Sequence, residues 1–178
     1  VLRVLANLGA GMDIVSGGEY LRAQTAGVRV CQIVFSGVGK TRKEMELVLK
    51  NGVRQFNIES EQELNLLNQV ATDLGVIAPI AVRVNPDVDA KTHKKIMTGK
   101  SENKFGVPIE SASEIYKQAS SLPAIKVVGI DVHIGSQILS DTPYKKTLNV
   151  LLKLIKNLKI DLKYVDLGGG FGINYNKK

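Results

Sequence analysis

"QIVFSGVGKTRKEMELVLKNG", residues 32–52, contains one complete strand–loop–helix unit. An apolar run ends at Ser36, a glycine-bearing loop follows, and Thr41 opens a helix that Gly52 closes. Thr41 with Glu44 matches the capping box, in which the hydroxyl accepts from an orphan amide while the carboxylate reaches back. The Gly-Lys-Thr in this stretch is also how an ATP-cradling P-loop ends. That motif needs a glycine five positions before Gly39. Val34 stands there, β-branched and inside the apolar run, so the stretch is read as scaffold.

The unit repeats along the chain. "MDIVS" (12–16), "QIVFS" (32–36), "QFNIE" (55–59), "PIAVRVN" (79–85), "VVGIDVHIG" (127–135) and "LKYVDLG" (162–168) read as strands. Helical patterns follow the first five, and a further helix, "VLRVLANLG", leads the chain with Val1, Leu2, Leu5 and Leu8 on one side. Glycines 9, 27, 52 and 75 end the first four helices, where C-cap chemistry favours them. Ser16 with Glu19, Ser60 with Glu63, and Ser111 with Glu114 repeat the capping-box spacing. Several strands read as continuous apolar runs, which suits parallel strands covered by helices. Unbroken alternation of strand and helix gives a doubly wound sheet or a (β/α)8 barrel. Six strands and an unpaired helix fit about strands two to seven of a barrel, an α/β fold in which 1–178 forms one incomplete barrel domain. Both ends look cut, and a fragment of a longer chain is expected.

In either architecture chemistry sits on loops leaving the C-terminal ends of the strands. Those ends carry Asp13 and Ser16, Gly37 and Lys40, Asn57 and Glu59, Arg83 and Asn85, His133 and Ser136, and Gly168, Gly169 and Gly170. His133 is either a satisfied core residue or part of an anion-binding turn with Gly135 and Ser136. Three consecutive glycines expose several amides together, which suits a phosphate; a Rossmann fingerprint fails, because its last glycine would fall on Ile173. Arg83 lies within a buried strand and needs an anionic partner. That partner is Asp13 or Glu59, or a ligand phosphate or carboxylate. The polar stretch 89–106 is long for a βα connection, and His93 within it reads as a solvated loop residue. Lys40 is assigned to structure before catalysis.

Composition narrows the function further. The 178 residues are 44% hydrophobic and 23% charged, as in a globular protein, with no apolar run long enough to span a membrane. The net charge of +7 comes from 24 basic and 17 acidic residues. The basic residues decorate helices such as "KKTLNVLLKLIKNLKIDLK", a solvated face, and aromatics are too few for base stacking, so nucleic acid is not expected. The single Cys31 excludes an intrachain disulfide or a multi-cysteine metal site. Set in "VRVCQIVF" it reads as a buried thiol, and the composition points to the cytoplasm.

Taken together, "GMDIVSGGE", "IVFSGVGKT", "FNIESEQEL", "VRVNPDVDAKTH", "NKFG", "GIDVHIGSQ" and "VDLGGGFGINY" resemble the N-terminal, alanine racemase-like barrel domain of the fold-type III pyridoxal-phosphate decarboxylases. "GVGKT", "VNPDVDAKTH" and "HIGSQ" resemble the diaminopimelate decarboxylase branch over the ornithine and arginine branches. The resemblance covers nearly the whole chain, in the family's order. It implies pyridoxal 5'-phosphate as cofactor, decarboxylation of meso-2,6-diaminopimelate to L-lysine, and a homodimer with shared active sites. His133 would stack on the cofactor ring, and Ser136 with Gly168, Gly169 and Gly170 would hold its phosphate. Arg83 would belong to the cofactor's charged surroundings, Asp13 would sit near the Schiff-base region, and Lys104 would serve structure or the interface. The family's Schiff-base lysine would precede Val1, and its pyridine-contacting glutamate, substrate arginine and active-site cysteine would follow Lys178. The resemblance therefore implies that these residues alone do not turn over substrate. Decarboxylases of ornithine, arginine or carboxynorspermidine, and an inactive regulatory homologue, are the alternatives.

Overall fold

The structure is a computed structural model that describes residues 1–88 and 105–175. His93 and Lys104 lie outside the described residues. Helix α1 (Leu2–Asn7) leads into β1 (Met12–Ile14), α2 (Gly17–Thr25), a 3-10 turn (Val30–Gln32), β2 (Ile33–Phe35) and α3 (Arg42–Asn51). Then follow β3 (Gln55–Ile58), α4 (Glu61–Leu74), β4 (Ala78–Asn85), β5 (Val107–Pro108), α5 (Ile109–Ser121), β6 (Ile125–Asp131), α6 (Thr142–Leu158) and β7 (Tyr164–Asp166). The strands form one parallel sheet ordered β1-β2-β3-β4-β6-β7, with the two-residue β5 attached to β4. The sheet curls into a part-barrel, as expected, and all six expected strands are present. Only β5 was not anticipated, because two residues carry no periodicity.

The two faces of the sheet are chemically different. The register aligns Asp13 with Val34, Val34 with Gln55, Asn57 with Ala81, Arg83 with Asp131, and Asp131 with Asp166. These positions share the inner face. The alternate positions Ile14, Ile33, Phe35, Phe56, Ile58, Ile80, Val82, Ile130 and Val132 face the helices and are buried. Leu64, Leu67, Val70, Tyr116, Ala119 and Leu151 from the helices complete that core. The apparent continuous runs are thus alternating strands, in which Ala81 and Gly129 keep the inner face small between its polar residues.

Three local expectations are corrected. Ser111 does not cap α5, which begins at Ile109 behind Pro108 and has no side-chain cap; proline's fixed φ starts the helix three residues earlier. Cys31 is exposed, because it lies in the 3-10 turn ahead of β2, outside the strand that the apolar pattern suggested. Helix α1 buries no residue, and Leu8 is 79% exposed.

The other caps form as expected, and they link each unit to the next. Thr41 Oγ1 accepts from the Glu44 amide, and Glu44 Oε2 accepts from the Thr41 amide, completing a capping box. Glu44 Oε1 also accepts from the Gly17 amide at 2.9 Å, tying the start of α2 to the start of α3. These amide contacts hold the Glu44 carboxyl below its ordinary value. Ser16 and Ser60 accept from Glu19 and Glu63 amides, while the glutamates reach the amides of Val15 and Glu59.

Lys40 answers the question its motif raised. Its Nζ donates to Gly37 O and Asn57 O, each at 2.7 Å, and to Glu63 Oε1 at 2.5 Å. Its side chain is fully buried. All three ammonium protons are used, so the lysine staples the β2–α3 loop to β3 and to the first turn of α4. Removing one member of a buried ion pair strands the other. In the full-length protein, Lys40→Met is expected to lose about 3–5 kcal/mol at neutral pH in urea unfolding. The Glu63 carboxyl is already pushed up by burial and held down by Lys40; without the lysine it rises further. A carboxyl with a raised folded value destabilises as pH rises through that value, so the deficit should shrink on acidification. A second substitution, Glu63→Gln, should recover part of it.

Candidate functional site

The chemistry-bearing residues converge on the inner face and at the strands' C-terminal ends. Arg83 Nη1 donates to Glu59 Oε1 at 2.7 Å, with the glutamate side chain 2% exposed. Arg83 Nε stands 4.0 Å from Asp131 Oδ2. Glu59 Oε1 also accepts from the Gly37 amide at 2.9 Å. Of the two protein partners expected for Arg83, Glu59 takes it, and Asp13 contributes only through its field. The Phe105 ring stands 5.8 Å from the guanidinium.

Three carboxylates gather around this one guanidinium, Glu59, Asp131 and Asp13, and Asp166 pairs in register with Asp131. Burial, then the charge of Asp166, pushes the Asp131 carboxyl well above its ordinary value, and Arg83 opposes this. Asp13 is also raised, by desolvation first, although the open side of the curled sheet leaves it exposed to solvent. Ser36, Asp166, Arg83 and His133 all act on it. Desolvation and then Arg83 hold His133 below its ordinary value, so its imidazole is neutral near neutral pH.

The two loops at the mouth are packed together by glycine. Ile138 N donates to Gly170 O at 2.9 Å, and Gly172 N to Ile138 O at 3.0 Å. A Cβ on Gly170 would lie 1.8 Å from Gly135 O, and Gly170 has φ +88°. A Cβ on Gly168 would lie 2.5 Å from Val132 O and 2.9 Å from His133 Nδ1. Gly169 is different, with nothing within 4 Å of its would-be Cβ. Tyr144, stacked on Phe171 at 5.0 Å, donates to Gly169 O at 2.8 Å and fixes the loop from α6. Among the described residues the amides of Gly169 and Gly170 take no hydrogen-bond partner, and Ser136 is exposed beside them. Free amides, a hydroxyl and open space together can receive an anion.

The structure thus brings His133, Ser136, Gly168, Gly169 and Gly170 to one mouth, with Asp13 and Arg83 on the inner face that leads to it. Asp131, Asp166, Ser36, Gln55 and Tyr144 were not singled out by sequence. The first four occupy inward positions of alternating strands, a signal that the apolar reading of those strands hid. Among the described residues no group of three or more His, Cys, Asp or Glu is arranged to hold a metal ion, and no helix is long and apolar enough to cross a membrane.

Comparison with known proteins agrees with this geometry. All of residues 1–178 match the family described as pyridoxal-dependent decarboxylase, pyridoxal binding domain. The chain is 54% identical, over 98% of its length, to a diaminopimelate decarboxylase of Pseudomonas fluorescens, covering 43% of that protein. It is 51% identical to one from Haemophilus influenzae, with the same two coverages. The crystal structure of diaminopimelate decarboxylase from Helicobacter pylori, complexed with L-lysine, superposes with a TM-score of 0.93 at 42% identity, over 99% of this chain and 46% of that one. The chain therefore spans less than half the length of these relatives. The curled parallel sheet and the match along the whole sequence together show that the chain belongs to the pyridoxal-dependent decarboxylases, as their pyridoxal binding domain.

Proposed function

We propose that the full-length protein is a pyridoxal 5'-phosphate-dependent carboxy-lyase that converts meso-2,6-diaminopimelate to L-lysine. The observation that carries the cofactor assignment is the paired-loop mouth, with its free amides and open space at Gly169. Similarity of 51–54% to diaminopimelate decarboxylases supports the substrate. Homodimer formation and a cytoplasmic setting belong to the same reading.

The residues fit the cofactor. Ser136 and the amides of Gly169 and Gly170 would hold the phosphate, with Gly168 allowing the close approach of the His133 strand end. His133, neutral and open on one side, would stack on the ring without adding charge. Arg83, anchored by Glu59, would belong to the cofactor's charged surroundings, and Asp13 would offer an acceptor near the Schiff-base region. When bound, the cofactor supplies an electron sink for the pair left as carbon dioxide departs. The protein's task is orientation of the scissile bond and control of the returning proton.

Two measurements test this reading. The full-length protein is expected to gain a visible absorbance band with pyridoxal phosphate and to release L-lysine and carbon dioxide from meso-diaminopimelate. Ornithine, arginine or carboxynorspermidine turned over in its place would redirect the substrate assignment, and absence of the band would defeat the cofactor assignment. The glycines separate binding from folding. Gly169→Ala should fold normally yet weaken cofactor binding at least tenfold, because its methyl enters the phosphate space. Gly170→Ala should lower stability by about 2 kcal/mol or more, given its positive φ and the Gly135 carbonyl.

A further inference from the structure

A buried polar chain runs across three strands and ends at Asp13. Gln55 Nε2 donates to Asn57 Oδ1 at 2.8 Å, and Asn57 Nδ2 donates to Ser36 Oγ at 3.0 Å. Gln55 and Asn57 are each 1% exposed and Ser36 is 9% exposed. The Ser36 hydroxyl stands beside the Asp13 carboxyl and acts to lower it. Backbone pairing fixes that last contact, since Ser36 N donates to Ile14 O at 2.8 Å and Asp13 pairs with Val34.

The direction of this chain is not arbitrary. Carboxamides have distinct donor and acceptor ends, whereas a hydroxyl serves as either. With Asn57 donating to its oxygen, Ser36 has its own proton free for Asp13. Swapping the amide ends of Gln55 and Asn57 would make Ser36 donate to Asn57 and leave Asp13 facing a lone pair. The orphan then falls at the far end of the chain, where Gln55 Oε1 is buried without a partner. An unused carbonyl lone pair there is cheaper than an unused pair of amide protons.

We propose that Gln55, Asn57 and Ser36 form a one-way hydrogen-bond relay that positions Asp13 as an acceptor facing the proposed cofactor site. The three are positioning residues, and their consequence for catalysis rests on the functional reading above. Asp166, Asp131, Arg83 and His133 also act electrostatically on or with Asp13, and Arg54 lines, with Asp13, a cavity that includes Gly11 and Gln32. Each is unchanged in the variants below, and Ser36→Ala adds no charge of its own, so their influence cancels between parent and that variant.

The test uses the full-length protein without cofactor. Asp13 has a raised folded value, so its ionisation weakens the fold as pH rises from the unfolded carboxylate range through that value. In the parent, this fall in stability is the part of the pH profile that Asp13→Asn removes. Ser36→Ala deletes the donor. Asn57→Asp keeps shape and the Gln55 contact but presents an acceptor to Ser36, turning its hydroxyl away from Asp13. In both variants the Asp13-dependent fall should extend about one pH unit higher, since losing one hydrogen bond to a charged group is worth roughly that. Once Asp13→Asn is also present, Ser36→Ala should shift the profile no further, and Asn57→Asp should add only the titration of its own new carboxyl.

Profiles for Ser36→Ala and Asn57→Asp that coincide with the parent would overturn the relay. A shift in Ser36→Ala alone would overturn its one-way character. With cofactor bound, the same variants should move the acid limb of kcat/KM upward in parallel, and an unmoved limb would overturn the catalytic consequence. A full-length parent that binds no pyridoxal phosphate defeats the functional reading only, because the cofactor-free profile still decides the relay.

Discussion

One guanidinium on the inner face, Arg83, is the cation around which the candidate site is balanced. Glu59 takes it directly, Asp131 stands at the edge of contact, and Asp13 feels its field. An isolated carboxylate in such surroundings tends to take up a proton, because burial disfavours its charge. The direct partner is also the best buried, with Glu59 locked by both Arg83 and the Gly37 amide. Asp131 and Asp13 have weaker claims on the cation, and their carboxyls rise. Burial, and after it the same charge, lowers His133. Around a single buried ion pair, Asp131 and Asp13 are thus left as carboxyls whose charge is conditional.

This division is possible because folding energy is gathered elsewhere. The apolar side chains lie between the sheet and its helices, so the inner face is free to be polar. Barrels of this kind more often fill their interior with branched apolar residues. Here the inward positions hold Asp13, Ser36, Gln55, Asn57, Arg83, Asp131 and Asp166, with Ala81 and Gly129 between them. At the mouth, glycine does what side chains do not: two loops approach until Gly170 and Gly135 are in backbone contact. Gly168 and Gly170 thereby serve packing, which leaves Gly169 as the position with room for a ligand.

The fold was legible because its signals are local. Strand length, glycine C-caps and the spacing of Thr41 with Glu44 act within one βα unit, and each reappears in the structure. The phosphate-like mouth was legible for a similar reason, since three glycines and a His-Ile-Gly-Ser turn sit in short stretches. What escaped was set by register between strands. Arg83 left two protein partners open until β3 and β4 were aligned, and Ser36 meets Asp13 only because β1 and β2 pair as they do. Cys31 and Ser111 failed through a turn and a proline, which shift an element boundary by one and by three residues.

Strand β3 shows how scaffold and site share atoms. All four of its residues are buried, and Asn57 at its centre is used twice. Its carbonyl oxygen accepts from Lys40, while its side chain passes a hydrogen bond from Gln55 to Ser36. The lysine of the false P-loop therefore fixes the backbone of the residue whose amide faces the site. Glu63, the lysine's anionic partner, also accepts from the amide of Glu59, which holds Arg83. From Lys40 two paths of two or three contacts reach the inner face, one through Asn57 to Ser36 and one through Glu63 and Glu59 to Arg83. The staple and the site are parts of one polar network, and the Gly-Lys-Thr stretch belongs to the site without touching a ligand.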